Sequence, residues 1–279
     1  KTNAQGAVIW NPEGGENPHP ITYIGDPRMV KVLAPEVVDI YPDFFKKFRD
    51  AGLRVGCCLR PTQVYYKEKA KKWAHGTGSH DPKGRNPLDD DFSQLRPEGV
   101  PWWQFFPVVE RMSRKIEYAK KHWGCTLFYC DTNGVFRQVG RKKTTKWTLL
   151  QSSVWRELVE RHPDILLIPE FCPNPAQMAY TAPYLQPPHS SPITKGFRRR
   201  LFPGAFSVSY TVNLNDAKWN AIRARLLQGV REGDSLFFRG WFGDHHNRNI
   251  KALYDEVYKP DAINPGLPAS YTTGRKQGR

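Results

Sequence analysis

The chain has 279 residues, and its 42 lysines and arginines outnumber its 27 aspartates and glutamates, which gives a formal charge of +15. A hydrophobic fraction of 39%, with 13% aromatic residues, is enough for a packed core and excludes an intrinsically disordered chain. No apolar run approaches the roughly 18 residues that a membrane-spanning helix needs, and no targeting signal is recognisable in the residues after Lys1. The sequence therefore predicts no membrane partner and no particular compartment.

Short apolar runs recur along the chain, and most are followed by a polar loop and a stretch with helical periodicity. The runs predict strands at 7–10, 53–59, 125–130, 165–169, 205–212 and 235–238. The periodic stretches predict helices near 35–51, 103–122, 149–161, 217–232 and 247–257. Strands that alternate with helices indicate a parallel sheet with right-handed crossovers.

Two α/β architectures fit this alternation. A doubly wound nucleotide-binding sheet is disfavoured because no Gly-x-Gly-x-x-Gly follows an early strand. Polar residues follow the predicted strands. The active-site residues of a (β/α)8 barrel lie in the same place, in the loops after the strands. We therefore predict a TIM-type (β/α)8 barrel over residues 1–258, with a loop insertion at 69–100 and a basic tail at 259–279. Because six units are visible where eight are expected, one or two N-terminal units are expected to be missing from this chain.

The five cysteines lie in or beside apolar runs, which predicts buried free thiols of a kind compatible with the cytoplasm. Their spacing does not suit a structural zinc site, and the adjacent His245 and His246 lack a third ligand at metal-site spacing. No metal and no cofactor is therefore predicted, and metal-dependent hydrolysis is a minor alternative.

The basic residues invite a nucleic-acid interpretation, since phosphate neutralisation supplies most non-specific affinity. The charge clusters at Lys46–Lys47, Lys67–Lys72, Arg141–Lys143 and Arg198–Arg200 belong to separate segments, however. This scatter favours a solvated surface, so nucleic-acid binding is kept only as an alternative.

A carboxylate follows each of two consecutive predicted strands. Asp131 comes directly after the third strand, and Glu170 comes directly after the fourth. An Asp often caps a turn, but Glu is a poor turn former. Neighbouring parallel strands lie about 5 Å apart, so the two side chains are expected within reach of each other. In retaining glycosidases an ionised carboxylate attacks the anomeric carbon, while a protonated partner about 5 to 5.5 Å away protonates the leaving oxygen.

This arrangement, Asp131 in Tyr-Cys-Asp-Thr-Asn and Glu170 in Ile-Pro-Glu-Phe, resembles the retaining α-glycosidase barrels of the α-amylase superfamily and the endo-α-N-acetylgalactosaminidase type. In those families the nucleophilic Asp ends the fourth strand and the acid/base Glu ends the fifth. The resemblance implies that Asp131 is the nucleophile and Glu170 the acid/base. It covers about residues 7 to 258 through short motifs. Tyr129 stands where the amylase pattern has an Arg, and Asp244-His245-His246 is only distantly similar to its last-strand Asn-His-Asp.

Other strand ends supply candidate substrate-binding residues. Trp10, Asn11 and Glu13 offer an aromatic platform and polar groups for sugar hydroxyls, although a Pro-Gly turn with a half-buried Trp is an equal interpretation. Arg60 could hold a substrate carboxylate or keep Asp131 ionised, or it could form a structural ion pair. The remaining candidates are Tyr129, Asn133, Asn213, Trp241, Asp244 and His245.

These patterns predict a glycoside hydrolase that acts on a carbohydrate substrate by the retaining two-carboxylate mechanism. A competing prediction is a barrel that binds a carbohydrate or polyanion without turning it over. Serine-hydrolase chemistry has no support, because the sequence contains no Gly-x-Ser-x-Gly.

Overall fold

The computed structural model describes residues 4–13, 25–61, 63–67, 72–76, 88, 98, 107–139, 144–170, 175–182, 184–185, 200, 207–211, 215–238 and 246–258. The chain divides into a larger unit, residues 5–182, and a smaller unit, residues 183–279 with 1–4. Within the described residues, no helix has the length and apolar character to cross a membrane.

The larger unit is a mixed α/β structure. Its strands are β1 (Gly6–Ile9), β2 (Arg54–Leu59), β3 (Gln63–Lys67), β4 (Lys72–Gly76), β5 (Leu127–Cys130), β6 (Gly134–Val139), β7 (Thr144–Leu149) and β8 (Leu166–Pro169). Its helices are α1 (Val30–Leu33), α2 (Tyr41–Asp50), α3 (Val108–Trp123), α4 (Ser152–Arg161) and α5 (Pro175–Met178), with 3-10 turns at Pro27–Met29 and Pro35–Val37.

Four of these strands form a parallel sheet in the order β1-β2-β5-β8. Each strand therefore pairs with the next parallel strand along the chain, without the reversal of order that a doubly wound sheet requires. The predicted parallel α/β architecture is confirmed, whereas closure into an eight-stranded barrel and its extent over residues 1–258 stay predictions.

Three of the four strands, β2, β5 and β8, are largely buried because they are almost continuously apolar, whereas β1 is partly exposed. In β2 every residue after Arg54 is buried, and Gly56 allows close contact with β5, since a Cβ there would lie 1.4 Å from the Leu127 carbonyl oxygen. Trp123 of α3 stacks on Phe45 of α2 with ring centroids 5.2 Å apart. The helices thus cover the sheet with a continuous apolar core.

Two antiparallel hairpins correct the sequence predictions. β3 pairs with β4 after β2, and β6 pairs with β7 after β5. Residues 72–76 were expected in the 69–100 loop insertion, and Leu149 was expected to begin a helix, which instead begins at Ser152. Both errors have one cause. A hairpin strand is stabilised by its cross-strand partner, and a search for local periodicity in the sequence does not detect that partner.

The smaller unit contains β9 (Tyr184–Leu185), β10 (Val208–Tyr210) and β11 (Ser235–Phe237), a parallel sheet in the order β9-β10-β11. Its helices are α6 (Asp216–Arg231) and α7 (His246–Val257), which contribute to one apolar cluster. The predicted strands at 205–212 and 235–238 are present with shorter bounds. The predicted tail at 259–279 lies outside the described residues.

Candidate active site

The parallel sheet brings four chain segments to one edge. Trp10 and Asn11 follow β1, Arg60 follows β2, Asp131 follows β5, and Glu170 follows β8. The Asp131 amide donates to the Leu59 carbonyl at 2.9 Å, and the Glu170 amide donates to the Cys130 carbonyl at 3.0 Å. Both carboxylates are therefore anchored by hydrogen bonds that continue the sheet.

Arg60 forms an ion pair with Asp131. Its Nε lies 2.6 Å from Asp131 Oδ2, and its Nη2 contacts the same oxygen. The Arg60 and Asp131 side chains are only 11% and 8% exposed, so water screens this pair weakly. A guanidinium from the neighbouring strand thus holds Asp131, whereas the amylase pattern supplies an Arg two residues before the nucleophile.

The carboxyl groups of Glu170 and Asp131 lie close enough for Asp131 to affect the pKa of Glu170, both through its charge and through a side-chain hydrogen bond. Burial and the charge of Asp131 raise the pKa of Glu170 to about 7, against opposing effects of the Thr132 amide and Arg60. The Thr132 amide donates to Glu170 Oε2 at 2.7 Å, and Thr132 has a φ of 46°, in the left-handed region. With a pKa raised to about 7, Glu170 binds a proton near neutral pH more readily than an ordinary glutamate does.

Glu13 and Asn11 add unpartnered oxygens after β1. Glu13 Oε1 accepts from the Gly25 amide at 2.6 Å, and burial raises the pKa of Glu13 to about 7. Glu13 Oε2 and Asn11 Oδ1 are buried and have no hydrogen-bond partner among the described residues. A buried oxygen without a partner is unfavourable, so these two atoms can accept from a hydroxyl donor.

A buried network beneath Arg60 was missed by sequence reasoning. Lys115 Nζ donates to the Arg60 carbonyl at 2.6 Å and the Gly25 carbonyl at 3.2 Å, and lies 3.6 Å from Asp26 Oδ2. The Gly25 carbonyl also accepts from the Arg60 amide at 2.9 Å. Lys115 follows Met112 by three residues on the buried face of α3, and a lysine on an apolar helix face was the signal that could have revealed it.

Gly25 is required by this network. Its φ is +62°, and a Cβ there would lie 2.6 Å from the Arg60 amide nitrogen. Asp26 beside it is buried, which opposes ionisation, but Lys115 and Arg28 hold its pKa below the usual value. The backbone of Arg60 is therefore fixed from below while its guanidinium is directed to Asp131.

The other predicted site residues have different surroundings. Trp10 packs against Tyr129 with ring centroids 4.6 Å apart and an interplanar angle of 35°. Asn133 is fully buried, and its carbonyl accepts from the Leu150 amide at 3.0 Å. Four further predicted residues lie outside the described residues: Asn213, Trp241, Asp244 and His245.

Within the part of the chain that the structure describes, no group of three or more histidine, cysteine or acidic side chains could hold a metal ion. Four of the five cysteines, Cys57, Cys58, Cys125 and Cys130, are buried free thiols, as predicted, and Cys172 lies outside the described residues. Burial raises the pKa of Cys58 and Cys130, which opposes formation of a nucleophilic thiolate.

No family model and no curated protein sequence matches this chain. Solved structures similar to it include an alpha-L-fucosynthase from Thermotoga maritima, in complex with alpha-L-Fuc-(1-2)-beta-L-Fuc-N3, at 13% sequence identity and a TM-score of 0.36. The match covers 77% of this chain and 43% of the fucosynthase chain, so this chain spans less than half of that protein. Similarity at this level does not identify a family.

Proposed function

We propose that this protein is a glycoside hydrolase that cleaves an O-glycosidic bond with retention of configuration, with Asp131 as nucleophile and Glu170 as general acid and base. The observation that most supports the proposal is the proximity of two unlike carboxyl groups. Asp131 is ion-paired with Arg60, while the pKa of Glu170 is raised to about 7. A charged carboxylate beside a protonated one provides the two groups that double displacement requires.

In the first step Asp131 attacks the anomeric carbon as the bond to the leaving oxygen breaks, and Glu170 transfers its proton to that oxygen. Ester formation removes the negative charge of Asp131. Because that charge helps to raise the pKa of Glu170, the pKa then falls and Glu170 stays deprotonated. Glu170 next accepts a proton from water as the water oxygen attacks the anomeric carbon, which releases Asp131.

The proximity of the two carboxyl groups agrees better with retention than with inversion. Inverting enzymes hold their carboxyl groups about 6.5 to 9.5 Å apart to admit water, and retaining enzymes about 5 to 5.5 Å apart. A glycosidic oxygen that enters between Asp131 and Glu170 would separate them. Glu170 is only partly buried, so its side chain has room to turn aside.

Neighbouring groups suit a sugar ring. Trp10 is partly exposed and packs on the buried ring of Tyr129, so it provides the aromatic surface, while Glu13 Oε2 and Asn11 Oδ1 provide acceptors for hydroxyl groups. Asn133, Asn213, Trp241, Asp244 and His245 remain predicted substrate-binding residues.

The test is turnover of a panel of aryl glycosides and oligosaccharides by the parent protein and by Asp131→Asn and Glu170→Gln. Each substitution is expected to lower kcat/KM by on the order of 10²- to 10⁴-fold. Glu160→Gln is the matched control, because Glu160 is an exposed residue of α4. Nuclear magnetic resonance of the first-formed anomer is expected to show retention.

Three outcomes would contradict the proposal in different ways. Turnover that survives both substitutions would mean that the site is misassigned. Inversion of the anomer would exclude the nucleophilic role of Asp131. Sugar binding without turnover of any substrate by the parent would instead identify a non-catalytic carbohydrate-binding protein.

A further inference from the structure

The loop after β1 holds a carboxyl group that takes no part in the two proton and bond transfers described above. Glu13 is only 2% exposed, and its Oε1 accepts from the Gly25 amide at 2.6 Å. That hydrogen bond fixes the side chain, whereas Oε2 is buried and has no hydrogen-bond partner in the part of the chain that the structure describes. An anchored carboxylate with one unpartnered buried oxygen is suited to accept from a bound donor.

A lysine lies near Glu13 but is directed to other groups. The charge of Lys115 lowers the pKa of Glu13, yet its Nζ donates to the Arg60 carbonyl at 2.6 Å and lies 3.6 Å from Asp26 Oδ2. Burial and the charge of Asp26 outweigh Lys115, so the pKa of Glu13 is raised to about 7. Three further titratable groups are affected by the charge of Glu13, and none of these side chains is cationic: Tyr41, Cys57 and Cys58.

Two neighbours on the same loop have groups that suit a cation. Asn11 Oδ1 is a second buried oxygen without a hydrogen-bond partner among the described residues. Trp10 is partly exposed and packs on the buried ring of Tyr129. The face of a tryptophan ring attracts cations more strongly than that of any other side chain. Residues 10–13 therefore combine a carboxylate, an amide oxygen and an indole ring.

This loop lies next to the candidate active site. β1 pairs with β2, and β2 pairs with β5, so the loop follows the strand beside the one that leads to Arg60. Burial raises the pKa of Cys58 in β2, and the charges of Asp131 and Glu13 raise it further. Both carboxylates therefore lie near the same thiol, and a ligand at Asp131 is within reach of the loop.

An ammonium group fits these atoms better than a hydroxyl group does. An ammonium has three donors and no acceptor, enough for both unpartnered oxygens, whereas a hydroxyl has a single donor. Its positive charge also offsets the cost of burying an ionised carboxylate, which a neutral hydroxyl does not do.

We infer that Glu13 and Asn11 form a subsite for the free amino group of an amino sugar, with Trp10 as the aromatic face beside it. The inference rests on the proposed function and names the substrate class for the same site.

The experiment measures binding by isothermal titration calorimetry at pH 7. The probes are the trimer of β-1,4-linked glucosamine, its N-acetylated form and cellotriose, which share one backbone and carry an ammonium, an acetamide or a hydroxyl group at C2. Galactosamine, N-acetylgalactosamine and galactose extend the comparison to a second sugar. Glu13→Gln keeps the size of the side chain and removes its charge, and Glu160→Gln removes a charge from an exposed position of α4 as the matched control.

The parent is expected to bind the amino form of at least one of the two sugars about tenfold or more tightly than its hydroxyl and acetamide counterparts, because hydrogen bonds between charged groups are the strong ones. Glu13→Gln is expected to bring this ratio of affinities close to one, while the control keeps it. A parent without the preference, or a preference that persists in Glu13→Gln, would overturn the inference.

Proton release provides a second measurement, made on the parent. At pH 6 a carboxyl group with a pKa of about 7 is mostly protonated, and so is an amine. A bound ammonium favours the ionised carboxylate, so the amino sugar should release roughly one proton per site, measured by titration in two buffers of different ionisation enthalpy. Binding without release, or release that persists in Glu13→Gln, would mean that the amine binds elsewhere.

Asn11→Ala tests the subsite at a partly exposed residue, whose substitution is less disruptive than a change at Glu13. Loss of the amide oxygen should reduce the preference for the amino form by about threefold or more. Thermal unfolding without sugar checks that both variants fold. An unchanged preference in a folded Asn11→Ala would contradict the assigned subsite.

The subsite and the hydrolase function can fail separately. A preference for the amino form that Glu13→Gln loses, in a parent that turns over no glycoside, would reject the hydrolase function alone. Turnover of neutral glycosides by a parent that does not prefer amino sugars would reject the amino-sugar subsite alone.

Discussion

The larger unit contains two buried clusters of charge with opposite effects on their acidic residues. In the first, Asp26 lies 2.7 Å from Arg28 and 3.6 Å from Lys115, and these cations lower its pKa. In the second, Arg60 holds Asp131, but Glu170 lies near the same carboxylate and its pKa is raised. The first cluster neutralises its charge, whereas the second leaves one carboxyl group with a proton to transfer.

This difference between the two clusters indicates that one contributes mainly to stability and the other mainly to the proposed reaction. A buried carboxylate matched by cations stabilises the fold as long as every partner remains. A carboxyl group beside a like charge is unfavourable for folding, and such arrangements are common at catalytic sites. The Asp26 cluster should therefore govern the free energy of unfolding, and the Asp131 cluster should govern the reaction.

The largest expected effect on stability comes from Asp26→Asn. The substitution leaves the fully buried ammonium of Lys115 without its carboxylate, so the free energy of unfolding at pH 7 should fall by about 3 kcal/mol. Urea unfolding of the parent and of Asp26→Asn measures this loss of stability. Asp164→Asn is the control, because Asp164 is 53% exposed in its ion pair with Lys120 and should change stability by less than about 1 kcal/mol. Equal losses in both variants would mean that the Asp26 cluster does not govern stability.

Arg60→Gln should break the second cluster while the buried network beneath it persists. Loss of the guanidinium weakens the anchoring of Asp131 and removes an effect that lowers the pKa of Glu170. We expect kcat/KM to fall by about 100-fold, or roughly 2.7 kcal/mol in the activation free energy. The decline of kcat/KM above pH 7, where Glu170 loses its proton, should also move to higher pH.

The pH profile separates this positioning role from simple damage to the fold. Arg156→Gln is the control, since Arg156 is an exposed residue of α4. A lower kcat/KM with an unmoved pH profile would show that Arg60 does not act on Glu170.

The smallest of the three effects concerns Glu13. Its raised pKa stabilises the fold below the unfolded-state value near 4.5, and this contribution is lost as the pH rises through about 7. From pH 5 to pH 8 the loss should be about 2 kcal/mol, and Glu13→Gln should abolish it. The contribution of Asp26 to stability depends on pH in the opposite direction. Because its pKa is lowered, Asp26 stabilises the fold above its unfolded-state pKa, and this contribution is lost as the pH falls.

Urea unfolding of the parent and of Glu13→Gln at both pH values measures the difference. Glu160→Gln, at an exposed position of α4, is the control. If Glu13→Gln kept the parent's dependence on pH, the buried carboxyl group would not be its source.

Much of the sheet was predictable because its information is local. The apolar runs that became β2, β5 and β8 are short, continuous and bounded by polar residues, and Gly124 ends α3 with the left-handed φ of 67° expected at a helix stop. The hairpins were not predicted. For example, β6 is stabilised by pairing with β7, and the residues of one strand do not indicate which segment will pair with it.

The candidate site divides in the same way. The sequence by itself determined that Asp131 and Glu170 follow consecutive parallel strands, since strand ends are marked by the change from apolar to polar residues. Only the tertiary structure decided that Arg60 pairs with Asp131, that Lys115 is buried 55 residues away along the chain from Arg60, and that the pKa of Glu170 is raised. The physical reason is that ion pairing and desolvation depend on distance and burial in space, and both are set by the packing of segments far apart in the chain.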